Sequence, residues 1–438
     1  MTSPTTPRPT LRTVTLGLGQ PLTRELLARS GGISREIIDS ATAIVDDVRT
    51  RGDAALIEYT ARFDGVTLAP DTLRVSEKEI DAAFELVDDE IIDALRYAAE
   101  RVRFFHEQHR QKSWTMTDDD GVVLGQKITP IRRVGVYVPG GTAPYPSSVL
   151  MNTMPAHVAG VSEIAMAAPP AQGGTISPYT LVTARIVGIT EIYKMGGAQA
   201  IGALAYGTET IPAVDKIVGP GNAFVAAAKK YVMGEVGIDM IAGPSEVLVL
   251  ADSTANPRLV AIDLMAQAEH DVRAATYLVT TDITLPTKVE AEFADLLSHS
   301  PRAEITAASL SDNSLVVICE NIDDAIAASD IIAPEHLEVL TENAAEIAER
   351  LHNAGAIFIG PWTPESAGDY VAGPNHVLPT EGTARFSSPL STDDFVKKSS
   401  IISYTREGLE RDRKAIEAIA HTEGFWAHEH AVKERFSA

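Results

Sequence analysis

The 438-residue sequence predicts an α/β fold in which two parallel sheets of βαβ units follow in tandem, with a helical N-terminal region and a helical C-terminal tail. Two observations lead there. From about residue 133 onward short apolar runs alternate with helical segments, the pattern of parallel strands buried on both faces. Outside that stretch, the apolar residues recur three and four apart, as in amphipathic helices.

Taken in order, residues 25–110 are helical: SREIIDSATAIVDDVRTRG and EKEIDAAFELVDDEIIDALRYAAERVRFFHEQ both carry the 3.6-residue period. After the turn signal DDDG, the segment GVVLGQKITPIRRVGVYVPGG switches to short β-rich runs. A first alternating series then runs RVGVYVPGG, SSVLMNTMPAHVAG, EIAMAAPP, TEIYKMGG, AQAIGALAYG, DKIVGPGN and AFVAAAKKYVM. A second begins at EVLVLAD, continues with a helix from about Pro257 to His270, and adds ATYLVTTD, SLVVICE, the EHLEVL region and AGAIFIGP. The two series divide near residue 245. The expected bounds are an extension at 1–25, the helical region at 26–132, α/β domains at 133–245 and 246–381, and the tail at 382–438. That tail shows amphipathic helices and no obvious strand partner, so it has to pack on this chain or on another copy.

Composition narrows the class. A formal charge of −23 spread along the chain makes an acidic surface that repels phosphate backbones and anionic lipid, which argues against nucleic acid as a partner. The first twenty residues are Pro/Thr-rich and lack the roughly 7 to 15 residue apolar core of a secretory signal. No stretch approaches the roughly 20 apolar residues of a membrane span. The expectation is a soluble, cytoplasmic protein. The single cysteine, Cys319, lies in the strand-like run SLVVICE, which excludes disulfides and thiolate-rich zinc sites and suggests inert core.

Three sets of residues can carry chemistry. Glycine-rich loops follow strands at VPGGTAPYPSS (138–148), MGGAQAIGALAYG (195–207) and VGPGNAF (218–224), where an open parallel sheet binds ligands. None matches G-x-G-x-x-G, so they are either dinucleotide loops or ordinary tight turns. Beside them Tyr137 offers a ring, and Gln199 and Asn222 offer amides at helix starts. In LMAQAEHD, Gln267 and His270 stand three apart and are expected to project from one helical face at its C-terminal end, as a surface polar pair or as ligands. Asp369 and His376 in a loop, with Glu423, His428 and His430 near the end, complete a nitrogen and oxygen set suited to Zn²⁺ or Mn²⁺. Finally, Glu335 and His336 sit in the apolar segment IIAPEHLEVL. Pro334 and Glu335 there either open a helix, or the pair is buried for use.

Taken together, VGVYVPGG, GGAQAIGALAYGTE, VDKIVGPGNAFV, AGPSEVLVLAD, AQAEHD, APEHLE and GAIFIGPWTPESAGDYVAGPNHVLPT, with the helical tail, resemble the histidinol dehydrogenase family. The likeness runs in order over nearly the whole chain beyond about residue 20. It implies incomplete Rossmann-like domains, NAD and Zn²⁺ as cofactors, and oxidation of L-histidinol to L-histidine through L-histidinal with two NAD⁺. By the same resemblance Tyr137, Gln199 and Asn222 line the NAD site, and Gln267, His270, Asp369 and His428 are the metal ligands. Ser245 and Glu423 hold the substrate together with Gln267, His270, His336, Asp369 and His428, with His376 close by. Glu335 and His336 are the catalytic acid and base pair. The family's members are homodimers whose C-terminal tail crosses to the partner, which implies that Glu423 and His428 complete the other subunit's site.

Three other readings remain at this stage. One is a related NAD and zinc enzyme for another small alcohol. The others are a two-lobed metal- or solute-binding protein and a zinc hydrolase that leaves the dinucleotide loops idle. A thiol route is disfavoured, because Cys319 has no base nearby in sequence.

Overall fold

The computed structural model describes residues 9–27, 32–140, 144–241 and 243–437. The first eight residues of the N-terminal extension and residues 141–143 of the VPGGTAPYPSS loop lie outside them.

Along the chain come β1 (Thr13–Thr15), α1 (Arg35–Arg51), α2 (Asp53–Phe63), α3 (Glu77–Phe84), α4 (Asp89–Glu107), β2 (Trp114–Thr117) and β3 (Val123–Pro130). The first alternating series is β4 (Arg133–Tyr137), α5 (Pro146–Ala159), β5 (Glu163–Ala168), α6 (Pro178–Ile186), β6 (Glu191–Lys194), α7 (Gly197–Tyr206), β7 (Lys216–Val218), α8 (Ala223–Val232) and β8 (Gly237–Ile238). The second is β9 (Glu246–Ala251), α9 (Pro257–Ala268), β10 (Ala275–Thr280), α10 (Leu285–His299), α11 (Ala303–Asn313), β11 (Ser314–Ile318), α12 (Ile322–Ile332), β12 (His336–Leu340), α13 (Ala344–Ala348), β13 (Ala356–Ile359) and α14 (Glu365–Tyr370). β14 (Val396–Ser403), α15 (Arg406–Thr422) and α16 (Trp426–Lys433) close the chain.

Local chemistry sets many of these ends. Ser34 caps α1 and Gly52, at φ 56°, stops it. Ser76 and Glu79 form a capping box on α3. Asn256 caps α9, whose first residue is Pro257.

Both sheets have the same order. Strands β6-β5-β4-β7-β8 form one and β11-β10-β9-β12-β13 the core of the other, each third-second-first-fourth-fifth and wholly parallel. That is the order of a doubly wound dinucleotide fold lacking its last strand, so both domains are incomplete Rossmann-like units, with switch points at β4/β7 and β9/β12. The N-terminal strand β1 adds to the outer edge of the second sheet beside β11, and Leu11, Leu16 and Leu22 are buried there.

The helices of the N-terminal region have no separate core. Ala41, Ile44, Val45 and Val48 of α1 pack with Leu204 and Ile201 of α7 on one face of the first sheet. Ile92, Leu95, Ala99 and Val102 of α4 pack with Leu150 and Met154 of α5 on the other. The second sheet is covered by α12 and α13 on one face and by α9, α10 and α11 on the other.

Two expectations need correction. The tail does hold a strand: β14 pairs antiparallel with β3, which pairs with β2, making a small third sheet that ties residue 396 to residue 130. Its period was hidden because most of its side chains on both faces are exposed, so apolar alternation is absent. Second, Pro334 and Glu335 open no helix. Helix α12 ends just before them, with Ala333 in the left-handed region at φ 50°, and Pro334 cannot donate the N–H that continuation would need. The chain turns instead into β12, whose first residue is His336.

Candidate active site

Glu335 and His336 lie at the amino end of β12, beside the amino end of β9. Doubly wound sheets bind ligands at the carboxyl ends of their strands, whereas this cluster lies at the amino ends. The carbonyl of Glu335 accepts from Ala356 N–H (2.9 Å), and a β-carbon at Gly355 would lie 2.5 Å from that oxygen, so only glycine fits there.

The imidazole of His336 is buried, 4% exposed. Its Nδ1–H donates to the Glu246 carbonyl (3.2 Å) and lies 3.0 Å from the side-chain oxygen of Gln267. A backbone carbonyl only accepts, so the proton is on Nδ1 and Nε2 keeps its lone pair. That Nε2 is buried with no hydrogen-bond partner among the described residues, 3.8 Å from Asp369 Oδ1. Burial pushes His336 down to about 3, with His270 and His376 adding to the effect, so the ring is neutral near pH 7.

Carboxyl groups surround it. Glu335 Oε2 lies 4.0 Å and Glu365 Oε1 3.6 Å from Nδ1. Glu335 accepts from Glu246 N–H (3.0 Å) and has the Ser245 hydroxyl nearby, yet burial raises its proton affinity well above the usual carboxylate range. Glu365 is raised in the same way, by burial first and then by Asp369, Glu338 and Glu335. Asp369 is pushed up to about 6 by burial. Behind them Glu338, raised to about 9 by burial and by Asp263, accepts from Glu365 N–H at 2.8 Å and so fixes the start of α14.

One ligand atom from each of His270, Glu365 and Asp369 lies within 4.8 Å of the others. Asp369 is not in a loop as the sequence suggested, but on the short helix α14, one turn after Glu365. Gln267 is wholly buried in the last turn of α9, and His270 falls just past the helix, so the two do not share a helical face as expected. His376 Nδ1–H donates to the Asp369 carbonyl (3.1 Å). Glu365 went unnoticed in the sequence, although its i, i+4 spacing from Asp369 was visible in ESAGDY.

Glu423 and His428 are elsewhere. Both are exposed on the tail, and neither side chain has a hydrogen bond or ion pair to the cluster within this chain. Ile419, Phe425 and Trp426 around them are 61%, 53% and 69% exposed, an apolar surface with no cover in a single chain.

At the carboxyl edge of the first sheet a cavity of about 790 Å³ is lined by Tyr137, Gln199 and Asn222, among others. Tyr137 is 4% exposed and its hydroxyl accepts from Gly197 N–H (3.1 Å), so it anchors the start of α7. Asn222 caps α8, accepting from Phe224 and Val225 N–H. The loop before it is pinned by a buried Lys229–Asp239 pair: Lys229 reaches the Gly219 carbonyl and Asp239 takes Gly219 N–H. Gly219 sits at φ 118°, and a β-carbon there would strike the Tyr137 carbonyl at 2.0 Å.

A glycine-lined cavity at the switch point of one doubly wound sheet, with a neutral imidazole among carboxylates on the other, fits an oxidoreductase that pairs a dinucleotide with acid–base groups. Comparisons with known proteins give the family. The family model described as histidinol dehydrogenase matches residues 27–436. The chain is 53% identical to histidinol dehydrogenase of Geobacter sulfurreducens over 411 residues, 94% of this chain and 96% of that protein. It is 53% identical to the Heliobacterium mobile enzyme over 392 residues, 90% and 92% of the two chains. The crystal structure of histidinol dehydrogenase from Elizabethkingia anophelis superposes with a TM-score of 0.93 at 40% identity, covering 98% of each chain. This chain belongs to the histidinol dehydrogenase family.

Proposed function

We propose that the chain oxidises L-histidinol to L-histidine through L-histidinal, using two NAD⁺ in succession at one site and a bound Zn²⁺. The observation that carries the reading is His336: a buried, neutral imidazole whose Nδ1–H is committed to the Glu246 carbonyl, leaving Nε2 to accept a proton.

The residues suit a divalent cation. Glu335, Glu365 and Asp369 all resist ionisation because burial crowds them together, and a cation relieves that cost. Gln267, His270 and Asp369 would hold it with His428 of the partner subunit, and Glu365 is a further oxygen donor within reach. When bound, NAD⁺ takes up two electrons in each oxidation, and the metal supplies a Lewis acid and an anchor for the substrate's amine and imidazole nitrogens.

The protein's own groups do the rest. His336 Nε2 takes the hydroxyl proton in the first oxidation and that of the aldehyde hydrate in the second. Between them Glu335, ionised once a cation offsets the crowding of the carboxyl groups, would take a proton from the water that adds to the aldehyde. Ser245, close to Glu335, would help orient that carboxyl. The amides of Gln199 and Asn222, with the amino end of α7, would cradle the dinucleotide in the cavity beside Tyr137. The exposed apolar tail is explained if it crosses to a second copy and delivers Glu423 and His428 there.

The test is the absorbance of reduced dinucleotide when purified protein meets histidinol and NAD⁺. Two NADH per histidinol, abolished by chelation and restored by Zn²⁺, is the expected result. No reduction, or a rate indifferent to chelation, removes the proposal.

A further inference from the structure

The cavity of the first sheet has one carboxylate, and it comes from outside that sheet. Among the described lining residues Asp64 is the only acid, and there is no Lys, Arg or His. Asp64 ends α2, where its N–H donates to the Thr60 carbonyl (2.9 Å). Its carboxylate has no hydrogen bond or ion pair among the described residues, and Oδ2 is shielded from solvent without a partner. Burial pushes it up to about 6, with no compensating donor. A half-buried acid left without donors beside a cavity is costly, and a ligand bearing hydroxyl donors would offset that cost.

In doubly wound sheets the acid that reads a nucleotide's ribose follows the second strand of the unit. Here that strand is β5, and Pro169, Pro170, Ala171 and Gln172 follow it. The ring of Pro169 fills the space between two glycine turns: a β-carbon at Gly140 would lie 2.3 Å, and one at Gly196 2.6 Å, from it. No acid stands in that place. Asp64 reaches the same cavity from the N-terminal helices, and Ile44 and Phe63 form an apolar wall beside it on which a flat base can lie.

We propose that Asp64 is the specificity residue for the dinucleotide: its carboxylate accepts from the 2′- and 3′-hydroxyls of the adenine-side ribose and repels a 2′-phosphate. The role rests on the reading of the cavity as the dinucleotide site. With no cation in the lining to offset the charge, the same carboxylate that favours NAD⁺ excludes NADP⁺.

The experiment uses the full-length enzyme with histidinol and compares NAD⁺, its 2′-deoxyadenosine analogue and NADP⁺ across wild type, Asp64→Asn, Asp64→Ala and Gln199→Ala. Both Asp64 variants should keep or raise the melting temperature, since the side chain holds no internal bond and its burial is uncompensated. They should raise KM for NAD⁺ roughly tenfold with kcat within about twofold, as loss of a charged hydrogen bond in binding predicts. Wild type should lose roughly tenfold on the deoxy analogue and Asp64→Ala almost nothing, a coupling that a structural role would not produce. Relative use of NADP⁺ should rise by roughly a hundredfold in Asp64→Ala. If KM and the deoxy penalty are unchanged in the Asp64 variants while Gln199→Ala raises KM, the ribose assignment is overturned and the cavity remains the dinucleotide site. If all three variants leave KM unchanged, the cavity reading is overturned with it.

Discussion

His336 shows how burial gives an ordinary side chain one free acceptor of defined direction. The Glu246 carbonyl dictates the tautomer, and the loss of water keeps the ring neutral. His336→Asn should therefore slow both oxidations by roughly a thousandfold, the middle of the range for losing a general base. Glu335→Gln should chiefly impair hydration, and single-turnover NADH formation from histidinol and from histidinal separates the two; equal losses on both substrates in both variants would count against the division of labour. Cys319 lies apart from this cluster. It is 2% exposed, raised to about 11 by burial, and follows the carboxyl end of β11, whereas His336 begins β12 at the amino edge. A different histidine controls acid stability. His106 is 1% exposed on α4, its nitrogens have no partners among the described residues, and burial pushes it down to about 4. A folded pKa below the unfolded one means the neutral ring stabilises the fold fully above about pH 6.5, and that stability is lost as pH falls toward 4. The ceiling is about 3 kcal/mol. Replacing His106 by Phe should flatten denaturant midpoints between those pH values; an unchanged pH profile would show that the histidine is not the cause.

At the scale of elements, the site depends on helix ends. The last turn of α9 brings Gln267, and the residue just past it is His270, while α14 brings Glu365 and Asp369 and is held at its start by Glu338. Helix α8 presents its amino end to the cavity, and Asn222 both caps it and lines the site. These two duties can be separated. Asn222→Ala removes an acceptor for two N–H groups and should lower stability by about 1 kcal/mol. Asn222→Asp keeps the cap and should keep the stability, but it sets a negative charge where the dinucleotide phosphates are expected, so KM for NAD⁺ should rise in both variants. A stable Asp variant with unchanged KM would place the phosphates elsewhere.

For the whole molecule, the question is what the tail covers. Strand β14 ties it to this chain through β3, but the helices beyond it expose Ile419, Phe425 and Trp426 around Glu423 and His428. If the tail of one copy completes the site of another, His336→Asn and His428→Asn chains are each inactive alone but complementary in a mixed dimer. Such a dimer has one site with an intact His336 and an intact incoming His428. Refolding the two together should recover roughly a quarter of wild-type activity, because half the dimers are mixed and each holds one complete site. Recovery near zero would mean that the tail serves its own chain.

Much of this was legible from residue order because it is local. The strands of both sheets, the capped helices and the glycine turns follow from apolar period, side-chain caps and backbone freedom, which depend on neighbours in the chain. Gln267, His270, Glu335 and His336 stood out in the sequence by type, with their roles implied by the family resemblance, and the structure brings them close together. Only the tertiary structure decided that Pro334 leads into a strand, that the exposed segment Val396–Ser403 pairs with β3, and that Glu365 joins His270 and Asp369. It also placed the imidazole at the amino edge of its sheet and left it neutral. Those outcomes come from contacts between residues tens to hundreds of positions apart, and from the water those contacts exclude, which no local pattern encodes.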